Sequence, residues 1–424
     1  MKCRISPSWV FSIYGVEKTA GPDNRGVINK PRRGKMKKVI AAAAGLMLVG
    51  TMVGSAAAAV SFGGDGRARY YYQTNYDFGA MEDVTNANGN VTGTQRENEK
   101  ENKWHSRVRI QARAEAAGGA YAVGRADYGN STWDGGNSNS TNVGASKAYI
   151  GVPIGPVTIE AGRVPMDLLV ATKFLFQDVT VDGAKVMFNV SDTAELGLLY
   201  TVDYEATQNG DLQNDNDVVN YGAYAQMGFA GGMSLRIAGL YEDDQVGVGA
   251  DDGSGWFGGI EFTGPAGSIA LSGALAGDDR GEERADTGYG GFIQGGMDFG
   301  GTGVALNVGF TADGFVTDGD FGFIMIGGGY SITPTSVGAL GDTWWIGVPV
   351  TFAVSEMLSL KAVLAYADFD TGGDAFEISG SAKYLISDGL NFQWDIGYLG
   401  YSADTDTDEE ESPFGTAITF NVSF

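Results

Sequence analysis

The basic side chains of this sequence are concentrated in one stretch, and several of them occupy the polar positions of an alternating pattern. Of the 18 lysines and arginines that follow residue 59, 13 fall between Arg67 and Lys185. At this spacing the charged groups share one face of an extended chain and form a positive ladder, whose chemistry is electrostatic. The alternative is a set of solvated charges on an exposed strand face. The residues in the polar phase of their predicted strands are Arg67, Arg69, Arg107, Arg109, Arg113, Lys147 and Lys185.

Covalent and metal chemistry have little support in the sequence. Cys3 is the only cysteine and His105 the only histidine, which excludes a disulfide framework, a cysteine-ligated zinc site and a c-type haem. His105 could pair with a serine, as in outer-membrane phospholipases. No H-E-x-x-H, G-x-S-x-G or P-loop motif accompanies it, however. The sequence therefore predicts a protein that is not an enzyme and has no cofactor and no bound metal.

The formal charge of −24 combines two unlike regions of the 424-residue chain. Residues 1–59 contain ten basic and two acidic residues, which leaves 18 basic and 50 acidic residues, a charge of −32, for the remainder. A pI near 4.3 argues against a nucleic-acid partner. A hydrophobic content of 43% is too high for an acidic disordered protein.

The basic N-terminal region has the order of a secretory signal peptide. Met36-Lys37-Lys38 is followed by an apolar run and then by small residues up to Ala59, which matches an n-region, an h-region and a cleavage site. We predict a signal peptide over 36–59 and interpret 1–35 as an extension from an upstream start codon. A long n-region and a transmembrane anchor are the alternatives. Residues 60–424 then form the mature chain.

The mature chain alternates apolar and polar residues almost from end to end. In 104–116, for example, Val108 and Ile110 interleave with Arg107 and Arg109. Strict alternation over eight to twelve residues predicts strands with one dry and one wet face. A soluble β-sandwich would alternate too, but its strands are usually shorter than these. The pattern predicts an all-β protein.

The connections between the predicted strands are of two kinds. Short turns such as Asp388-Gly389 tend to alternate with long polar loops such as 205–216. This asymmetry is typical of a transmembrane antiparallel β-barrel with short periplasmic turns and long extracellular loops. Nineteen segments qualify as strands, whereas a barrel with both termini on one side needs an even number. We therefore expect 16–18 strands, with the error in 302–342, where the alternation of short and long connections fails. The segments begin near 66, 104, 119, 145, 156, 179, 193, 217, 232, 256, 267, 287, 302, 319, 342, 357, 374, 389 and 413.

Two parts of the chain resemble Gram-negative outer-membrane porins. The last strand alternates through Phe420 and ends on Phe424, like the C-terminal strand that the family's insertion machinery reads. Glu160-Ala-Gly-Arg163 is similar to the strand end before the family's third loop, and Asp182-Gly-Ala-Lys-Val-Met-Phe188 to the strand after it. The resemblance implies an exported outer-membrane channel for small hydrophilic solutes and ions. It also implies a homotrimer in contact with outer-membrane lipid and lipopolysaccharide.

The resemblance further implies an inward-folded third loop, here residues 165–178, that narrows the channel opposite a basic wall. Asp167 and Asp178 would then face some of Arg67, Arg69, Arg107, Arg109, Arg113 and Arg163. The family's usual acidic motif is missing from this loop, and Lys173 stands there instead. The resemblance therefore does not extend to the polarity of the constriction.

Two further interpretations remain open. The acidic residues of the long loops, such as Asp404 to Glu411, either keep those loops solvated or bind divalent cations. The barrel could also be a sheath that encloses a partner, such as a multihaem cytochrome in an electron conduit. A sheath needs an open lumen and a porin needs a constricted one, so the third loop distinguishes the two functions.

Overall fold

A computed structural model describes most of the chain from residue 59 onward. Within the described residues the regular secondary structure is β-strand, and no helix there is long and apolar enough to cross a bilayer. The described ranges are 59–76, 81–85, 91–96, 100–133, 143–175, 179–204, 218–244, 254–266, 269–279, 287–330, 332–370, 373–402 and 412–424.

The described residues contain twenty strands. They are β1 (Ala59–Thr74), β2 (Met81–Thr85), β3 (Val91–Arg96), β4 (Lys100–Glu115), β5 (Tyr121–Trp133), β6 (Val143–Ile154), β7 (Val157–Pro165), β8 (Thr180–Ser191), β9 (Ala194–Tyr204), β10 (Val218–Gly228), β11 (Ser234–Asp244), β12 (Gly255–Ala266), β13 (Ile269–Asp278), β14 (Gly288–Asp298), β15 (Thr302–Ala312), β16 (Thr343–Ala353), β17 (Leu358–Phe369), β18 (Gly373–Ser387), β19 (Leu390–Ser402) and β20 (Phe414–Ser423).

Eighteen of these strands form one closed antiparallel sheet. Strands β4 to β20 follow one another around the sheet, and β1 pairs with both β4 and β20. The closure continues to the chain end, where the amide nitrogens of Gly64 and Phe424 each donate to the other residue's carbonyl oxygen, over 2.9 and 3.1 Å. Closure leaves no strand edge unpaired. The predicted all-β antiparallel barrel is confirmed, with eighteen strands; β2 and β3 form a separate hairpin.

Of the nineteen predicted strands, the one near residue 319 is wrong. This segment belongs to the connection between β15 and β16, and Phe323, Ile324, Met325 and Ile326 within it are all buried. Successive side chains of a barrel strand point to opposite faces, only one of which is apolar, so the apolar residues alternate. A segment enclosed on all sides is apolar at consecutive positions, and its sequence therefore resembles a strand without alternation.

The connections differ between the two ends of the barrel as predicted. The turn at Asp388-Gly389 and the other short connections lie at the end that also holds Ala59 and Phe424. Gly389 has φ 72°, and a Cβ there would approach the Ser423 carbonyl oxygen to within 2.3 Å. Only glycine fits this turn without strain. The longer loops lie at the opposite end. That end also contains one short connection, between β17 and β18.

The outer face of the barrel is apolar and carries many aromatic rings. Tyr200, Tyr221, Tyr241 and Trp256 lie directly opposite one another across β9 to β12, and each is about half exposed. A continuous exposed apolar surface of this extent is unfavourable in water. Bands of aromatic residues near strand ends are typical of barrels whose outer face contacts lipid.

Candidate functional site in the barrel lumen

Four arginines occupy adjacent lumen-facing positions of β1 and β4. Arg67 lies opposite Arg107 in the strand pairing, and Asp65 lies opposite Arg109. The Asp65 carboxylate accepts a hydrogen bond of 2.7 Å from Arg109 Nε and one of 3.4 Å from Arg107 Nη2. One carboxylate therefore offsets part of a larger positive charge. We call Arg67, Arg69, Arg107 and Arg109 the basic arc.

The side chains of the basic arc remain accessible from the lumen. Those of Arg107 and Arg109 are 22% and 23% exposed, and Arg69 Nε donates to Thr419 Oγ1 at 3.2 Å. Their alternation partners in β4, Val108 and Ile110, are exposed on the outer face. The period-two pattern thus places the arginines inside the barrel, facing water.

The positive wall continues beyond the basic arc. Lys147 of β6 lies opposite Arg125 of β5, an arginine that was not among the predicted wall residues. Arg113 lies nearer the short-turn end, where it pairs with Glu115 and stacks 3.8 Å from the Tyr121 ring centroid. His105 also faces the lumen, with Nδ1 3.5 Å from Arg67 Nη2.

Arg163 lies on the other side of the wall, which corrects its expected position in the channel. In β7 Glu160 is buried inside the barrel, whereas Ile159 is exposed outside, and Arg163 shares the parity of Ile159. Its guanidinium pairs with Asp182 of β8, with Nη2 to Oδ2 at 2.5 Å. The resemblance placed Arg163 beside the third loop along the chain, but strand alternation turns its side chain outward.

Lys185 faces inward but is enclosed. Its side chain is 8% exposed and its Nζ lies 3.1 Å from Glu160 Oε2 and 4.0 Å from Asp167 Oδ2. It also donates to the Pro165 carbonyl oxygen at 3.4 Å. Lys185 therefore links the start of the loop after β7 to the barrel wall. Unlike the arginines of the basic arc, its side chain is buried.

The loop after β7 folds into the barrel, as predicted for the third loop. We call residues 166–179 loop A. Leu168 and Leu169 are buried against wall residues of β8 to β12. The backbone amides of Ala171 and Thr172 donate to the Glu261 carboxylate of β12 at 3.2 and 3.0 Å. Asp178 lies outside the described residues.

A second inward loop was not predicted. We call residues 313–342, between β15 and β16, loop B. Its apolar side chains pack on the lumen face of β16 to β20, where Trp345 is fully buried and donates from Nε1 to Asn307 Oδ1 at 2.7 Å. Tyr76, just after β1, donates from its hydroxyl to the Ile332 carbonyl oxygen at 2.6 Å. Burial raises the pKa of the Tyr76 hydroxyl above its usual range, so that it remains a donor.

Loops A and B contact each other inside the barrel. Lys173 Nζ of loop A lies 2.9 Å from Asp320 Oδ2 of loop B. The Phe174 ring packs against Phe315 and Phe321, with ring centroids 5.4 and 4.8 Å apart. Together the loops cover much of the lumen face from β8 to β20. The basic arc, in which Arg107 and Arg109 are 22% and 23% exposed, lies on β1 and β4, outside this covered section.

Two neighbouring tryptophans of β16 provide a test of this packing. We expect Trp345→Ala to lower the free energy of unfolding by about 3–5 kcal/mol, because it leaves a cavity between the wall and loop B. Trp344→Ala is the matched control, since Trp344 is 48% exposed on the outer face and we expect its loss to cost less. Urea unfolding of the lipid-reconstituted protein, followed by electrophoretic mobility, measures both. Equal losses for the two variants would contradict the packing of loop B on this wall.

Comparison with known proteins identifies the fold. No family model matches the sequence, and no curated protein matches it. Among solved structures, OccK11 (OpdR) of Pseudomonas aeruginosa is similar at 10% identity and a TM-score of 0.56, over 86% of this chain and 96% of that one. A double variant of OccD1 (OprD) is similar at 12% identity and a TM-score of 0.53, over 86% and 95% of the two chains. A triple mutant of the Rhodopseudomonas blastica porin aligns at 14% identity and a TM-score of 0.44, over 86% and 100%.

The class of protein defined by this architecture is a closed antiparallel β-barrel with loops folded into its lumen. The chain has the fold of the outer-membrane porins, with eighteen strands.

Proposed function

We propose that this chain is an outer-membrane porin, which forms a water-filled channel for passive diffusion of small hydrophilic solutes and ions. Loops A and B narrow the passage on one side, and the basic arc lines the other. A charged, narrow aqueous passage favours small polar solutes and excludes bulky or apolar ones. The excess of arginine over carboxylate on the open wall makes anions the favoured ions.

The observation that carries this proposal is the contrast between the two sides of the lumen. On one side Phe174, Trp345 and their neighbours are fully buried. On the other, Arg107 and Arg109 keep about a fifth of their side-chain surface exposed. Buried arginines without enough carboxylates are costly, so their presence here fits a wall that water and ions reach.

Export and assembly complete the proposal. Residues 36–59 act as a cleaved signal peptide, with 1–35 as an upstream extension. Phe420 and Phe424, 45% and 65% exposed on β20 and at the chain end, belong to the signal that the barrel-insertion machinery reads. The apolar outer face contacts outer-membrane lipid and lipopolysaccharide, and three copies form a homotrimer. The protein performs no catalysis.

The sheath alternative requires a lumen wide enough for a partner protein. Loops A and B occupy that space, and their apolar side chains pack against the wall. Displacing them would expose both the loops and the wall to water. This arrangement favours the porin over the sheath.

Planar-bilayer recordings test the proposed function. We expect the purified protein alone to produce stepwise, ion-permeable conductance increments, because the channel needs no partner. Protein unfolded by heating in detergent is the control and should produce none. If the folded barrel gives no steps until a partner protein is added, the porin proposal is wrong and the sheath is favoured.

A further inference from the structure

Each inward loop is held by one buried carboxylate of the wall. Glu377 of β18 is 1% exposed and accepts hydrogen bonds from the backbone amides of Ile324 and Ile326 in loop B, at 3.0 and 2.9 Å. Its carboxylate also accepts a hydrogen bond from the Ser379 hydroxyl. Glu377 thus links the barrel wall to the buried segment 324–326 of loop B.

Glu261 has the same relation to loop A. It is 2% exposed and accepts hydrogen bonds from two consecutive loop amides and from Thr172 Oγ1, the last at 3.0 Å. The Glu261 carboxyl group is thus the shared acceptor of three hydrogen bonds from one short segment of loop A. A buried carboxylate that lost these donors would be left unsatisfied at high cost. Separating a loop from its carboxylate would therefore leave both the carboxylate and the loop amides without these hydrogen bonds.

The two attachments belong to separate buried clusters. Leu168 and Leu169 of loop A pack with wall residues of β8 to β12. Met325 and its neighbours in loop B pack with Trp345 and other residues on β13 to β20. The loops also meet at Phe174 of loop A, which is fully buried in the loop B cluster and whose carbonyl oxygen accepts a hydrogen bond of 3.2 Å from the Asp318 amide. The neighbouring Lys173–Asp320 pair is partly exposed and contributes little. Leu169 and Met325 nevertheless lie in different clusters, so opening of the chain around one of them is expected to stay local.

We propose that Glu261 and Glu377 are positioning residues that hold loops A and B independently, so that each sets one part of the channel width. This inference rests on the proposed function only for its effect on width; the positioning itself is a property of the folded barrel. An amide at either position keeps the side-chain size but loses one acceptor and presents a donor to the loop amides. The substitution Glu→Gln should then release one loop without removing the barrel.

Thiol labelling tests the positioning without any conductance measurement. In a Cys3→Ser background, Met325→Cys reports on loop B and Leu169→Cys on loop A, since both side chains are buried. We expect Glu377→Gln to increase labelling at residue 325 by about tenfold and to leave residue 169 protected. Glu261→Gln should have the opposite pattern. A water-soluble maleimide applied to the detergent-folded protein is the probe.

The exposed Glu356, in the short β16–β17 connection, provides the matched control Glu356→Gln, which should change neither reporter. Electrophoretic mobility without heating verifies that each variant remains a folded barrel. If one variant exposes both reporters, independent positioning by these carboxylates is overturned. The same holds if no reporter becomes labelled in either variant. Failure of the porin proposal would leave this labelling pattern unchanged and is therefore distinguishable.

Discussion

Replacing residues 318–336 by an Asn-Gly turn is expected to raise single-channel conductance about threefold or more, because an eighteen-stranded barrel without internal loops leaves a wide aqueous channel. The stems of loop B make this exchange geometrically simple. The Thr317 amide donates to the Val337 carbonyl oxygen at 3.0 Å, so the two ends are already neighbours. Planar-bilayer recordings in symmetric salt measure the change.

The excision also uncovers apolar wall residues such as Trp345 and Leu399, so folding has to be verified first. Mobility of the unheated protein in SDS gels separates a folded barrel from an unfolded chain. Asp320→Asn is the control, because it removes the contact with Lys173 but keeps loop B, and its conductance should stay near the wild-type value. A folded excision variant with wild-type conductance would mean that loop B does not restrict the passage.

Neutralising the basic arc is expected to reverse the ion preference of the channel. With Arg67, Arg69, Arg107 and Arg109 all replaced by Gln, Asp65 loses its partners and becomes an uncompensated negative charge on the same wall. We expect the anion-to-cation permeability ratio to fall by about fivefold or more. The reversal potential across a salt gradient measures this ratio directly.

Arg163→Gln is the matched control for this experiment. It removes the same type of charge from the outer face, where Arg163 pairs with Asp182, and it should leave the reversal potential unchanged. Arg113→Gln should have a smaller effect than the basic arc, because Glu115 already offsets its charge. An unchanged reversal potential in the fourfold variant would place the basic arc outside the conduction path.

The wall itself could be predicted well from sequence. Alternation along β4 separates Val108 and Ile110 from Arg107 and Arg109, and the structure places the two pairs on opposite faces. The same pattern puts Glu377 in the polar phase of its strand, so its inward direction was predictable. That Glu377 is buried was not, since an inward polar residue is usually in contact with water in a wide barrel.

The sequence by itself determined the strands, their facing and the asymmetry of their connections, because each of these is encoded in neighbouring residues with a period of two. Only the tertiary structure decided what fills the lumen. The contacts that hold the loops join residues far apart in the chain: Ile324 and Glu377 are separated by 53 positions, and Thr172 and Glu261 by 89. Local periodicity contains no information about such pairs. It also made the enclosed run at 321–326 look like a strand, because a segment buried on all sides and a buried strand are both apolar.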